Sequence, residues 1–328
     1  MKFALIFAEK SIPNIISQKC IDGLRELGEV VLNEGDASYE NLKKTIKDAD
    51  VAITSWGSPA LTEELLDCAP NLKLVIHAAG SVKPIVTDAM WERGIRIVSS
   101  AKALGEGVAE TALGFSISAS KNFYFLNSNI HAGGYKEGYS DIKELVDITV
   151  GVVGCGWAGK HYIKLMSNFG VEIIAYDPYV NAETLEALGA KKTELEDVLK
   201  NSDILSIHAP NIPETHHMFN AETLAMMKKD AVLINTARGA IIDEKALYEH
   251  MAAGNLKYAC LDVYDPEPIL PENPLRTLPN CIMTPHLAGL TNNGKLKLGK
   301  HALYIAKQYV NGEKLDCEVT KDMLATMA

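Results

Sequence analysis

Residues 148–177 read ITVGVVGCGWAGKHYIKLMSNFGVEIIAYD. The apolar run at 148–153 has the composition of a strand buried on both faces of a parallel sheet. Gly154-Cys155-Gly156-Trp157-Ala158-Gly159 follows without a gap, a helical pattern covers 160–169, and Gly170 supplies a stop. A second strand at 172–176 delivers Asp177 at its carboxyl end. Each part has a physical task. Gly154 makes a tight turn, Gly156 lets a pyrophosphate approach the backbone, and Gly159 lets the helix pack close to its strand. The helix N-terminus presents N–H groups and a positive dipole end to the phosphates. Asp177 stands where a ribose 2′-hydroxyl needs an acceptor, and its charge would repel a 2′-phosphate. The stretch predicts binding of NAD rather than NADP.

A triphosphate-binding loop is the competing reading, because Gly154-x4-Gly159-Lys160 begins one. His161 stands where that loop needs a Ser or Thr hydroxyl for magnesium, and such a loop has no use for Asp177.

Working outward, strand-like runs at 2–7, 51–55, 73–77 and 96–98 alternate with helical ones at 14–27, 39–47, 62–68 and 86–92. That alternation means a parallel sheet with helices on both faces. A long, mostly apolar helix at 107–120 and an irregular polar segment at 127–141 precede the dinucleotide unit. Its later strands fall at 204–208, 231–235, 258–263 and 281–284. Thr193-Glu194-Leu195-Glu196 reads as a capping box for a helix ending near Asn201. After Pro285 one good helix remains, at 294–310, and one helix cannot form a domain. It is expected to pack back onto the first. The expected architecture is α/β with two doubly wound parallel-sheet domains. A Rossmann NAD-binding domain at 102–287 would be inserted into a flavodoxin-like substrate domain made of 1–101 and 288–328. Substrate would bind beside the cofactor in the cleft between them.

A chain of 328 residues, 47% apolar and 23% charged, has the size and balance of a soluble two-domain enzyme. The net charge of −10 argues against nucleic acid or an anionic membrane surface as a partner, so an anionic ligand must be held by local donors. Cys20, Cys68, Cys155, Cys260, Cys281 and Cys317 form no CxxC pair, the pattern of reduced thiols in a cytoplasmic protein. No metal site is expected. The apolar run at 3–8 is too short for a signal peptide, and no run approaches membrane length.

The segment 204–289 bears on the reaction. It contains Ser206-Ile207-His208-Ala209-Pro210, Asn235-Thr236-Ala237-Arg238-Gly239, Leu261-Asp262-Val263, Glu267-Pro268 and Thr284-Pro285-His286. In order and spacing these pieces resemble the D-isomer-specific 2-hydroxyacid dehydrogenases, the family of phosphoglycerate dehydrogenase, glyoxylate reductase and D-lactate dehydrogenase. The likeness extends through the Gly154 motif and Val108-Ala109-Glu110, covering most of 100–290. The first hundred residues match only in pattern and in the loop Ala79-Gly80-Ser81.

The resemblance implies roles residue by residue. Arg238 would grip a carboxylate and the adjacent carbonyl oxygen with its planar fork. His286 would be the acid/base group, since imidazole ordinarily exchanges a proton near neutral pH. Glu267 would orient that imidazole and stabilise its charged form. For NAD it implies backbone contacts from Trp157 and Ala158 to the pyrophosphate, and Ala209 and Pro210 on the adenosine side. Thr236 and Ala237 would lie at the nicotinamide ribose and Asp262 at the carboxamide, with Arg238 and His286 also among the cofactor contacts. Gly80 and Ser81 would face the substrate.

There are departures. The family's usual Gly-Val-Asp-Asn becomes Ser81-Val82-Lys83-Pro84, and the segment 52–60, AITSWGSPA, lacks the arginine that phosphoglycerate dehydrogenases place there. No regulatory domain is expected beyond residue 328. A small unphosphorylated 2-oxo acid is therefore the more natural substrate, interconverted with its D-2-hydroxy acid. The resemblance also implies a homodimer, with 107–120 and the following segment as its interface. Two alternatives stand beside this reading. One is an NAD(H)-binding assembly protein like the C-terminal binding corepressors, which keep the same Arg, Glu and His. The other is a phosphoglycerate dehydrogenase lacking a regulatory domain. Formate dehydrogenases pair their histidine with a glutamine, where this chain has Glu267.

Overall fold

Parallel strands need a crossover between each pair, and this chain supplies helices for that purpose. The computed structural model describes residues 1–327. They divide into two compact units, one made of residues 1–104 with those from 290 onward, the other of residues 105–289.

In the first unit, β1 (Lys2–Leu5), β2 (Glu29–Leu32), β3 (Val51–Thr54), β4 (Leu74–His77) and β5 (Arg96–Ser99) form a parallel sheet in the order β5-β4-β3-β1-β2. The antiparallel strand Glu318–Val319 covers the β5 edge. Alternate side chains serve opposite faces. Phe3, Leu5, Val51, Ile53, Leu74 and Ile76 pack into one core, and Ala4, Ala52, Val75 and Ile97 into the other. The helix Lys295–Val310 fills the first of these with Leu298, Ala302, Ile305 and Ala306. It lies so close to the helix Ile12–Ile15 that a Cβ on Gly299 would sit 2.5 Å from the Ile15 carbonyl oxygen.

The second unit contains β6 (Thr149–Val153), β7 (Glu172–Tyr176), β8 (Lys191–Lys192), β9 (Ile204–Ile207), β10 (Val232–Asn235), β11 (Tyr258–Leu261) and β12 (Cys281–Met283). All pair in parallel, in the order β12-β11-β10-β9-β6-β7-β8. Strand order reverses between β6 and β9, and in open α/β sheets the ligand crevice lies at the carboxyl ends at such a point. The helix Ala101–Ser120 gives Ala103 and Leu104 to the first unit's core. Further along, it gives Ala109, Ala112, Phe115 and Ala119 to the second's, beside Val150, Val152 and Tyr162. Among the described residues, no helix is long and apolar enough to cross a membrane.

Local expectations differ in four places. The helix expected at 14–27 is two, Ile12–Ile15 and Gln18–Arg25. Ser17 leaves the helical path between them, and its hydroxyl caps the second by accepting from the Cys20 amide at 3.4 Å. The capping box at 193–196 does not form. Glu194 is the N-cap without a side-chain bond, and the Thr193 hydroxyl instead donates to Asp197 at 2.8 Å. The irregular segment expected from 127 begins inside a helix, Phe123–His131. The strand Glu29–Leu32, absent from the sequence reading, is a half-exposed sheet edge, where little apolar pattern is required.

The edge at Glu318 generates a test. Arg96 holds this carboxylate twice, Nε to Oε1 and Nη2 to Oε2, both at 2.7 Å. The Arg96 hydrogen bond lowers the Glu318 pKa, against the opposing pull of partial burial. A carboxyl depressed by folding stabilises the native state above its unfolded value of about 4.3 and loses that contribution as pH falls through the folded value. Glu318→Gln should cost up to about 1 kcal/mol near neutral pH, because the pair is partly exposed and screened. In urea unfolding, the gap between the two proteins should hold above the unfolded value and shrink as pH falls through the lowered folded value of Glu318. A gap that persists in acid would mean the ion pair is not its source.

Candidate active site

The glycine-rich turn lies where β6 ends. Gly154 has φ +90°, and a Cβ there would meet the Ala209 amide nitrogen at 2.4 Å, so this turn packs directly on the loop after β9. A Cβ on Gly159 would come within 2.1 Å of the Gly154 carbonyl oxygen, which fixes how near the helix Trp157–Met166 approaches its strand. Gly156 is the N-cap of that helix and makes no side-chain cap; a Cβ there would meet nothing within 4 Å. Trp157 is exposed, and Ala158 is half-buried behind it. The space in front of this helix end is therefore open to a ligand that needs amide donors.

Asp177 ends β7 with its side chain nearly buried, at 8% exposure. Its Oδ2 accepts from the Cys155 amide at 2.6 Å, and its Oδ1 accepts from Tyr179 and Val180 at 2.8 and 3.0 Å. The carboxylate thus ties the glycine-rich turn to the end of the neighbouring strand, a task its sequence position did not reveal. A carboxylate offers about four acceptor sites, so capacity for a further hydroxyl donor remains. Cys155, inside the turn, is buried, and burial pushes its thiol up to about 12. It behaves as a small apolar residue.

At the end of β10, Asn235 shapes the chain. Its Nδ2 donates to the Arg238 carbonyl at 2.9 Å, and its Oδ1 accepts from the Ala237 amide at 3.0 Å. Thr236 is held between them, its Oγ1 buried without a hydrogen-bond partner. Such a hydroxyl is costly unless a ligand meets it. Arg238 is half-buried; Nη1 donates to the Ala237 carbonyl at 2.6 Å, and among the described residues it has no ion-pair partner. Desolvation lowers its pKa, and the Glu267 charge opposes that shift. Gly239 follows against the Tyr264 backbone, where a Cβ would lie 1.9 Å from the Tyr264 carbonyl carbon. No other residue permits that approach.

Tyr264 opens the loop that carries Glu267, in which the Asp265–Pro266 and Glu267–Pro268 bonds are cis. Glu267 Oε1 accepts from the Tyr264 amide at 3.0 Å, while Oε2 lies 2.7 Å from Nδ1 of His286. His286 is held in left-handed backbone conformation, φ +51°, and its amide donates to the Asp262 carbonyl at 2.8 Å. The Asp262 side chain, fully buried, accepts from the Thr284 hydroxyl at 2.5 Å and from the Leu287 and Ala288 amides, each at 2.9 Å. This carboxylate, for which the resemblance implies a carboxamide contact, braces the turn that carries the histidine.

The structure therefore brings Arg238, Glu267 and His286 to the carboxyl ends of β10, β11 and β12. The glycine-rich turn, Asp177 and Thr236 lie at the same end of the same sheet. Ala209 is buried against the turn, and Pro210 follows it, its carbonyl accepting from the Thr215 hydroxyl at 2.6 Å. Gly80 and Ser81 belong to the first unit, just beyond β4. Tyr264 escaped the sequence reading, and Asn235 entered it only as the first residue of the motif that ends at Gly239, with no role of its own. The donor set, the open helix end and the unpartnered Thr236 hydroxyl suit a dinucleotide.

Comparisons with known proteins agree with this geometry. Residues 113–288 match the family model described as the D-isomer specific 2-hydroxyacid dehydrogenase NAD binding domain. The chain is 35% identical to a D-3-phosphoglycerate dehydrogenase of Methanocaldococcus jannaschii over 91% of its own length and 56% of that protein. It thus spans about half the length of that relative and of a second phosphoglycerate dehydrogenase, from Archaeoglobus fulgidus. A glyoxylate reductase of Thermofilum pendens is 30% identical, over 95% of this chain and 94% of that one. A crystal structure of a protein from Thermus thermophilus covers 98% of this chain and 100% of its own, with a TM-score of 0.76 and 28% identity. With a model matched over more than half its residues and relatives aligned along nearly all of it, the chain belongs to the D-isomer-specific 2-hydroxyacid dehydrogenase family.

Proposed function

We propose that this protein is an NAD-dependent oxidoreductase that interconverts a small 2-oxo acid and its D-2-hydroxy acid. The observation that carries the reading is the 2.7 Å contact between Glu267 and Nδ1 of His286, placed at the same sheet end as Arg238 and the glycine-rich turn. Bound NAD would supply or accept the hydride. The amides at the start of the helix Trp157–Met166 would hold its pyrophosphate, Asp177 its adenosine ribose, and Thr236 with Ala237 its nicotinamide ribose. Arg238 orients the substrate through its carboxylate and carbonyl oxygen, and Gly80 and Ser81 contribute from the first unit. Glu267 engages Nδ1, so Nε2 of His286 is the nitrogen that gives a proton to the forming alkoxide, or takes it back in oxidation.

Relatives named as phosphoglycerate dehydrogenase and as glyoxylate reductase bracket the substrate class. The absence of an arginine from 52–60 favours the unphosphorylated end of that range. The working form is a homodimer. Phe123, Phe125, Ile130, Tyr135 and Tyr139 support this, since all are exposed on one short segment, Tyr135 by 74%. A panel of 2-oxo acids with NADH tests the activity directly, and no turnover of any member would count against it.

Cofactor choice should follow Asp177. The unmodified protein should prefer NADH strongly over NADPH. Asp177→Ala should weaken NADH by roughly ten- to a hundredfold, losing an acceptor and a brace together, while NADPH changes little. Fluorescence titration measures both, and equal affinity of the native protein for the two cofactors would remove the assignment.

Arg238→Lys keeps the charge but loses the planar fork, so kcat/KM for the 2-oxo acid should fall on the order of a hundredfold, with NADH binding little changed. Retention of most activity would place the substrate carboxylate elsewhere.

Glu267→Gln preserves a hydrogen-bonding shape without the charge. It should lower kcat roughly ten- to a hundredfold, and His286→Ala by more. Because the two act as one couple, the double variant should be no slower than His286→Ala alone. Multiplied effects in that cycle would mean that they act independently.

A further inference from the structure

At the carboxyl end of β4 the first unit contains a buried polar cluster that the reaction above does not use. His77 closes β4 with only 3% exposure, and its Nδ1 lies 2.8 Å from Thr54 Oγ1 on the adjacent end of β3. The same ring forms a hydrogen bond with the Ser81 backbone. Burial pushes the imidazole down to about 4, so it is neutral in ordinary buffers and has a single N–H. The Ser81 bond favours the protonated form, which marks the ring as donor there and the carbonyl as acceptor. Nδ1 then accepts from the Thr54 hydroxyl, leaving Nε2 as the donor.

Two serines complete the arrangement. Ser55 Oγ donates to the Ala78 carbonyl at 2.9 Å, and Ser99 Oγ donates to the Gly80 carbonyl at 2.6 Å. Side chains from the ends of β3, β4 and β5 thus hold the carbonyls of residues 78, 80 and 81. An apolar residue at position 77 would fill the space but leave the Ser81 carbonyl and the Thr54 hydroxyl without these partners. A binding loop needs such support to keep its geometry within a fraction of an ångström.

We propose that His77 is a positioning residue. Its ring, bridging Thr54 and the Ser81 backbone, holds the Gly80–Ser81 loop in the conformation that receives the 2-oxo acid. This rests on the assignment of Gly80 and Ser81 to the substrate made above.

The two amide side chains separate the ring's bonds. Glutamine places its amide where Nε2 was and can still donate to Ser81, whereas asparagine reaches only as far as Nδ1. With glyoxylate, pyruvate and hydroxypyruvate as probes, His77→Asn should raise KM roughly five- to tenfold, the worth of one neutral hydrogen bond. It should leave kcat within about twofold and NADH affinity unchanged. His77→Gln should recover most of the loss. In hydrogen exchange, amides 79–83 should exchange faster in His77→Asn and near the native rate in His77→Gln. A merely structural role would lower thermal stability and active fraction in both variants without moving KM, and that result overturns the proposal. Ser81→Val separates the two failures. If it raises KM while His77→Asn does not, the proposal falls and the loop assignment stands; if it leaves KM alone, the loop assignment falls. Should no probe be turned over, unchanged exchange at 79–83 in His77→Asn still overturns the brace.

Discussion

The Asp262 carboxylate is fully buried and accepts three hydrogen bonds from the turn at 284–288, and the candidate catalytic centre depends on that arrangement. A buried carboxylate is tolerated only when donors replace the water it has lost. Here the donors are one hydroxyl and two amides of the turn that folds back over the end of β11. The turn carries His286 at φ +51°, which a residue with a side chain adopts at a cost of about 1–2 kcal/mol. The carboxylate offsets that cost and sets where the imidazole begins.

The same device recurs at neighbouring strand ends. Asp177 accepts the Cys155 amide with one oxygen, and Glu267 accepts the Tyr264 amide with one oxygen and His286 with the other. Asp177 thereby joins the end of β7 to the turn after β6, and Glu267 joins the loop after β11 to the histidine after β12, so the loops of a parallel sheet acquire fixed relations to one another. Glycine does the rest. Gly239 lets the Arg238 strand end touch the Tyr264 backbone, so the arginine and the loop leading to Glu267 share one contact.

Much of this was legible in the chain because it depends on local periodicity. Buried parallel strands such as 148–153 are continuous apolar runs, and the glycine spacing after them reports a constraint acting within a few residues. Where periodicity is weak, the reading failed. Glu29–Leu32 is a half-exposed edge, and Ser17 breaks a helix pattern whose apolar spacing continues across it. At 193–196 the box motif was present, yet Thr193 found a better acceptor in Asp197. Among the site residues, Arg238, Glu267 and His286 stood out through their setting. Asn235, Tyr264 and the bracing side of Asp177 did not, because their partners lie in backbone atoms that every residue possesses.

The sequence by itself determined the strand–turn–helix that suits a dinucleotide, the alternation that requires two doubly wound sheets, and the residue types able to move a proton and grip a carboxylate. These follow from side-chain chemistry and spacing along the chain. Only the tertiary structure decided that Asp262 serves the histidine turn, that the Thr236 hydroxyl lies buried without a partner, and that His77 meets Thr54 across two strand ends. A buried polar group takes whichever donor or acceptor the fold brings within about 3 Å, and that choice is made by residues far apart in the chain.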